Sequence, residues 1–153
     1  MTEPYRDPNL PVTERVEDLL GRMTVEEKAG QLTQFFFFAP QEVPDDLDVS
    51  TLPPEQQAYA RGARVVSGRV SAGTVGSVLF VRDPSLANSL QRRAVEDTRL
   101  GVPLLFGFDV IHGLRTIFPV PIATAASWDP ASAEKSQAVA AREARAVGIH
   151  WTF

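Results

Sequence analysis

Gly73-Thr74-Val75-Gly76-Ser77-Val78-Leu79-Phe80-Val81-Arg82-Asp83-Pro84 decides the fold class. Thr74 to Val81 is an apolar run of strand length. Asp83-Pro84 is a helix opening, with Asp83 at the N-cap and Pro84 at the first helical position. The spacing carries that helix to about Arg99, and Gly101 ends it. The same grammar then repeats. Pro103-Leu104-Leu105-Phe106-Gly107-Phe108-Asp109 reads as a second strand, and Asp129-Pro130 opens a second helix. That helix carries Ala133, Ala140, Ala144 and Val147 on one stripe and stops at Gly148. Ile149-His150-Trp151-Thr152-Phe153 begins a third strand. Apolar strands alternating with long helices predict parallel βαβ units with right-handed crossovers. The fold class is therefore α/β, with about three parallel strands.

Upstream of this stretch, Val12, Val16, Leu19, Leu20 and Met23 recur at helical spacing and predict a helix over 12–22. Thr24-Val25-Glu26-Glu27 has the form of a capping box and opens another helix, to about Gln34. Phe35-Phe36-Phe37-Phe38 follows. Core packing is the expected use of this run; a stacking platform for a sugar is the alternative. Residues 39–56 hold four prolines and five acidic side chains and read as a loop. A short helix near Gln56–Ala63 followed by a polar turn is expected after it.

The chain has 153 residues, 44% of them apolar and 22% charged, which is the balance of a folded domain. There is no cysteine and there are two histidines, His112 and His150, so thiolate chemistry and multi-histidine metal sites are excluded. The formal charge of −4 opposes general nucleic-acid binding. It is unevenly spread, acidic over residues 1–60 and basic afterwards, and the arginines of the second half read as solvated helix faces. Neither a signal peptide nor a membrane-length apolar run is visible, so the expected location is cytoplasmic, with no membrane partner.

Two asymmetries point to a site. The connection after the second strand, from Val110 to Trp128, is far longer than the one after the first. In parallel α/β folds ligands bind at the carboxyl ends of strands. The chain also stops on a strand with no helix behind it, as at the start of an unfinished sheet. Asp109 closes the middle strand. It either accepts N–H bonds from the turn at Val110–Gly113 and ties the loop, or accepts hydroxyls of a polyol at a pocket mouth. His112 has no acidic or thiol partner visible in the sequence, which is the pattern of a structural histidine. Arg115 is a candidate to bind substrate or to salt-bridge across the loop.

Leu104 through Gly113, followed by Arg115-Thr116-Ile117-Phe118-Pro119, resembles the N-terminal domain of glycoside hydrolase family 3, in its β-glucosidase branch. Arg15 to Gln31, Ala125-Ala126-Ser127-Trp128-Asp129, and Glu143-Ala144 with Gly148 to Phe153 are similar to the same domain. The resemblance covers 1–153 except a variable loop at about 39–70. It implies the first part of a (β/α)8 TIM-type barrel, a carbohydrate substrate, and retaining hydrolysis of terminal non-reducing β-glycosides without a cofactor. It implies that Asp109 binds sugar hydroxyls, with Arg115 and His112 as weaker substrate-binding candidates. No catalytic residue is assigned within the chain: the resemblance implies a nucleophile and an acid/base beyond Phe153, in the remainder of the barrel and a C-terminal domain. The 153 residues alone are expected to be inactive. Val110-Ile111-His112 after the aspartate disfavours the N-acetylhexosaminidase branch, while xylosidase specificity stays open. The rival of a different class is a non-catalytic α/β sugar-binding module or a truncated product.

Overall fold

The structure, a computed structural model, describes residues 3–153. Four strands form one sheet: β1 (Gln34–Phe36), β2 (Ser77–Leu79), β3 (Leu105–Phe108) and β4 (Trp151–Thr152). Six helices accompany them: α1 (Val12–Arg22), α2 (Val25–Gln31), α3 (Pro54–Ser71), α4 (Pro84–Glu96), α5 (Pro121–Ala126) and α6 (Pro130–Ala146). The sheet order is β1-β2-β3-β4 and every pairing is parallel. This is the opening part of a (β/α)8 barrel wall.

The sheet has four strands where the sequence reading gives about three. The additional one is β1, inside the phenylalanine run. Four identical residues show no alternation, so the two-residue period of a strand is invisible there. The ladder separates what the sequence does not. Phe35 lies beside Val78, and Val78 beside Phe106, on the face covered by helices. Phe36 belongs to the opposite face and is 55% exposed, while Phe37 returns to the core at 1%. Core packing thus accounts for Phe35 and Phe37 but not for Phe36 and Phe38.

The core is built from Ala63, Val66 and Val70 of α3, Leu86, Ala87, Leu90 and Ala94 of α4, and the inward strand residues. A second cluster joins Val110, Ala144, Val147 and Ile149, with Phe108 and Leu114 against it. Helix starts follow the caps read from the sequence. Asp83 accepts the Leu86 N–H at 2.9 Å, and one Asp129 oxygen accepts the N–H groups of Ala131 and Ser132. Thr24 and Glu27 complete the capping box in both directions. Gly148, at φ +90°, lets the chain leave α6 and turn into β4.

One expectation is corrected and two features are added. Residues 54–71 form one continuous helix rather than a short helix near Gln56–Ala63 and a polar turn, so the loop read over 39–56 ends near Pro53. The long connection after β3 contains α5, opened by Pro121. The apolar stripe of α1 is not covered: Val12, Val16 and Leu20 are exposed and only Met23, at its C-cap, is buried. The charge asymmetry also has a structural use in part. Arg93 pairs with Glu42 at 2.9 Å and Arg99 with Glu27, joining the basic second half to the acidic first. Among the described residues, no helix is long and apolar enough to cross a membrane.

Candidate functional site

The segments leaving β1, β2 and β3 at their carboxyl ends are Phe37-Phe38-Ala39, Phe80-Val81-Arg82-Asp83 and Asp109-Val110. The first two, with Phe108 of β3, line a hollow of about 480 Å³ that includes Phe38, Phe80, Arg82 and Asp83; Asp109 and Val110 are not among its lining residues. Asp83 is already engaged as the cap of α4. Arg82 is exposed, and its guanidinium carbon lies 5.5 Å from the centre of the Phe108 ring.

Asp109 follows the last residue of β3 and is exposed. The turn after it closes on itself, with the Gly113 N–H donating to the Val110 carbonyl at 3.1 Å. Among the described residues no hydrogen-bond donor reaches the Asp109 carboxylate, so it does not tie the loop. His112 is half-buried. Its carbonyl accepts the Phe118 N–H at 2.8 Å, and its Nδ1 is buried without a partner. Arg115 donates its backbone N–H to Glu143 at 2.8 Å and leaves its side chain exposed. No hydrogen bond or ion pair joins Asp109, His112 and Arg115 to one another among the described residues.

What fixes the loop is Glu143, which the sequence reading does not single out for this role. Its carboxylate accepts the N–H groups of Arg115 and Thr116 at 2.8 and 2.9 Å and the Thr116 hydroxyl at 2.6 Å. Gln137, also on α6, donates to the Ile111 carbonyl at 3.3 Å. The available signal was a lone acid on the apolar side of α6, between Ala140 and Ala144. The Thr116 hydroxyl bond, followed by the backbone bonds from Thr116 and Arg115, holds the Glu143 carboxyl below its ordinary range. A carboxyl lowered by folding contributes stability above its unfolded titration and loses it as pH falls through the lowered folded value. Acidification is therefore expected to release residues 111–118 from α6. Amide exchange checks this: protection at Arg115 and Thr116 should vanish together as Glu143 protonates, and in Glu143→Ala at any pH. Protection that persists through that titration would show that another group anchors the loop.

Gly113 has φ +107°, and a Cβ built there would overlap the Thr116 carbonyl oxygen. Any L side chain at this position meets both a forbidden backbone region and a backbone atom. Gly113→Ala is expected to cost about 1–3 kcal/mol, the range for a strained backbone residue, and to break the Thr116–Glu143 bonds. Thermal unfolding with amide exchange measures both. A variant that melts with the parent and keeps Thr116 protected would contradict this geometry.

Among the described residues, two non-glycine residues have positive φ: Phe80 at +70° and Trp128 at +53°. Such strain marks places where structure is held for a purpose. Phe80 lies within the hollow. Trp128, 92% exposed, flanks a separate cleft with Ile111, Pro121 and Gln137.

Comparison with known proteins accords with this architecture. The model of the glycosyl hydrolase family 3 N terminal domain matches residues 24–153. The periplasmic beta-glucosidase of Salmonella typhimurium is 28% identical over 138 residues, covering 90% of this chain and 15% of that protein. Beta-glucosidase C of Emericella nidulans is 32% identical, covering 95% of this chain and 24% of that protein. The crystal structure of the β-glucosidase from Listeria innocua in complex with glucose superposes with a TM-score of 0.69 at 30% identity, covering 92% of this chain and 18% of that one. The chain spans less than a quarter of the length of each of these relatives. The match over most of the chain and the parallel sheet lead to one conclusion: the chain belongs to glycosyl hydrolase family 3 and forms part of its N-terminal domain.

Proposed function

We propose that this chain is the sugar-recognising first part of a retaining β-glucosidase that releases terminal non-reducing β-D-glucosyl residues. The observation that carries the reading is Asp109: an exposed carboxylate with no donor from the described residues, at the carboxyl end of a barrel strand. An ionised carboxylate only accepts, which suits a pair of sugar hydroxyls. As positive charge develops on the sugar ring, those hydroxyls become better donors and the bonds strengthen. Asp109 therefore favours the transition state over the ground state. The relatives named as β-glucosidases, and the glucose held by the Listeria innocua enzyme, support this substrate class.

In this reading the attacking carboxylate and the proton-donating carboxyl, about 5 Å apart in a retaining enzyme, come from the rest of the barrel and a following domain. Asp83, Asp129 and Glu143 are occupied as helix caps and loop anchor. Arg115 and His112 remain secondary substrate-binding candidates, the exposed Arg115 guanidinium as a hydroxyl donor. The 153 residues alone are assigned no turnover. A cytoplasmic location belongs to the same proposal and is checked by cell fractionation; the Salmonella relative is named as periplasmic.

The test is a complete barrel in which this chain replaces the matching part of the Listeria innocua enzyme. It should hydrolyse 4-nitrophenyl β-D-glucoside with retention and lose that activity on Asp109→Ala. A folded chimera without activity, or one indifferent to Asp109, would refute the proposal.

A further inference from the structure

The sheet has two free edges. Among the described residues β1 pairs only with β2, and β4 only with β3. Along a parallel strand the N–H groups turn alternately to the two sides. Phe37 donates to the Leu79 carbonyl and His150 to the Phe106 carbonyl, so the N–H groups of Phe36 and Trp151 face outward, one at each edge. Proteins that keep a free edge blunt it with charge or proline. Neither edge is blunted in that way here: residues 33–38 and 150–153 contain no proline, lysine, arginine or carboxylate.

The sheet face turned away from the helices is open as well. Phe36, Leu79, Gly107 and Trp151 form one row across it through the ladder. Leu105 belongs to the same face, two residues before Gly107. The Phe153 ring lies over Gly107, 3.2 Å from where a Cβ would stand. Phe36, Leu105, Trp151 and Phe153 are each about half exposed. Monomers rarely keep so large an apolar surface in water. In a closed eight-stranded barrel this face is the interior, filled by layers of four side chains drawn from alternate strands. Four strands bring two side chains to each such layer. A second set of four, related by a twofold axis along the barrel, brings the other two. The free edge of β4 then meets β1 of the other copy, and the pairing is parallel, as it is within the chain. The same contact recurs on the far side, so the assembly closes at two copies.

We propose that two copies of this chain close into one eight-stranded barrel, β4 of each against β1 of the other, with Phe36, Leu79 and Trp151 of both packed in its interior. A second copy supplies the strand count, the strand direction and the apolar face that the open sheet lacks. The inference concerns these 153 residues on their own and is independent of the role proposed for Asp109.

Sedimentation equilibrium of the 153-residue chain, with amide exchange on the same sample, tests this. A single species of twice the chain mass is expected, with the Phe36 and Trp151 amides protected along with those of Phe37 and His150. Trp151→Lys puts a charge in the interior and should give a monomer that keeps the parent's helical circular dichroism while its Phe36 amide exchanges freely. Trp151→Phe should remain a dimer. If Trp151→Lys unfolds, dilution of the parent makes the same comparison: Phe36 protection should fall in step with the dimer fraction. A monomeric parent, aggregates of no fixed mass, or a Trp151→Lys chain that stays dimeric would overturn the proposal. So would a dimer whose Phe36 and Trp151 amides exchange freely, which would place the contact elsewhere, such as the exposed stripe of Val12, Val16 and Leu20. A parent that stays monomeric until the complementary part of the Listeria innocua enzyme is added would assign the open face to that remainder and overturn it equally.

Discussion

Phe106→Ala should leave the chain without a sharp thermal transition. Phe106 sits in the middle of β3 and is 1% exposed. Its N–H donates to His150 Nδ1 at 3.1 Å, and its carbonyl accepts the His150 N–H at 2.9 Å. The ring stacks on the His150 imidazole, with centroids 5.8 Å apart and planes 17° apart. It belongs to the buried cluster shared by the sheet, α3 and α4, so its truncation leaves a cavity at the centre of that packing. Core phenylalanine to alanine changes cost about 3–5 kcal/mol, against a total of about 5–15 kcal/mol for a domain. Circular dichroism on heating measures the effect. A loss under about 1 kcal/mol, the usual cost of an ordinary point mutation, would mean that the centre of the sheet is loosely packed.

The largest functional effect belongs to Asp109→Ala in the complete barrel. A hydrogen bond to a charged group contributes about 1.5–3 kcal/mol. Two hydroxyls held by one carboxylate therefore imply a fall in kcat/KM of at least about a hundredfold. Because the bonds tighten as charge develops, kcat should fall along with kcat/KM. The side chain is exposed and bonds to nothing in the described structure, so the variant should melt with its parent. Activity within twofold of the parent would remove the residue from sugar binding.

The sequence displays its helix boundaries better than its strands. Asp83-Pro84, Asp129-Pro130 and the Thr24–Glu27 box are local devices, and each is found where it was read. The phenylalanine run conceals β1, because side-chain parity is set by pairing with β2 and not by the residues themselves. Helix α3 contains Gly62 and Gly68, which weaken its propensity. The signal that outweighs them is the buried series Ala60, Ala63, Val66 and Val70, with Pro54 at the start. Asp109 is singled out in the sequence as a carboxylate ending an apolar strand, and the structure leaves it exposed there. Glu143 and Phe80 are not marked in this way. One acts across 27 residues of chain on Thr116, and the other through a backbone angle that no sequence spacing encodes.

The sheet order β1-β2-β3-β4 repeats the order of the chain. Within these four strands, each of β2, β3 and β4 finds a partner in the strand translated just before it. Synthesis at about 5–20 residues per second is slow beside the microsecond formation of helices. Each strand–helix unit can thus settle against its predecessor while the next is still inside the ribosome. A nascent chain built this way accumulates its sheet one strand at a time, from the amino end outward.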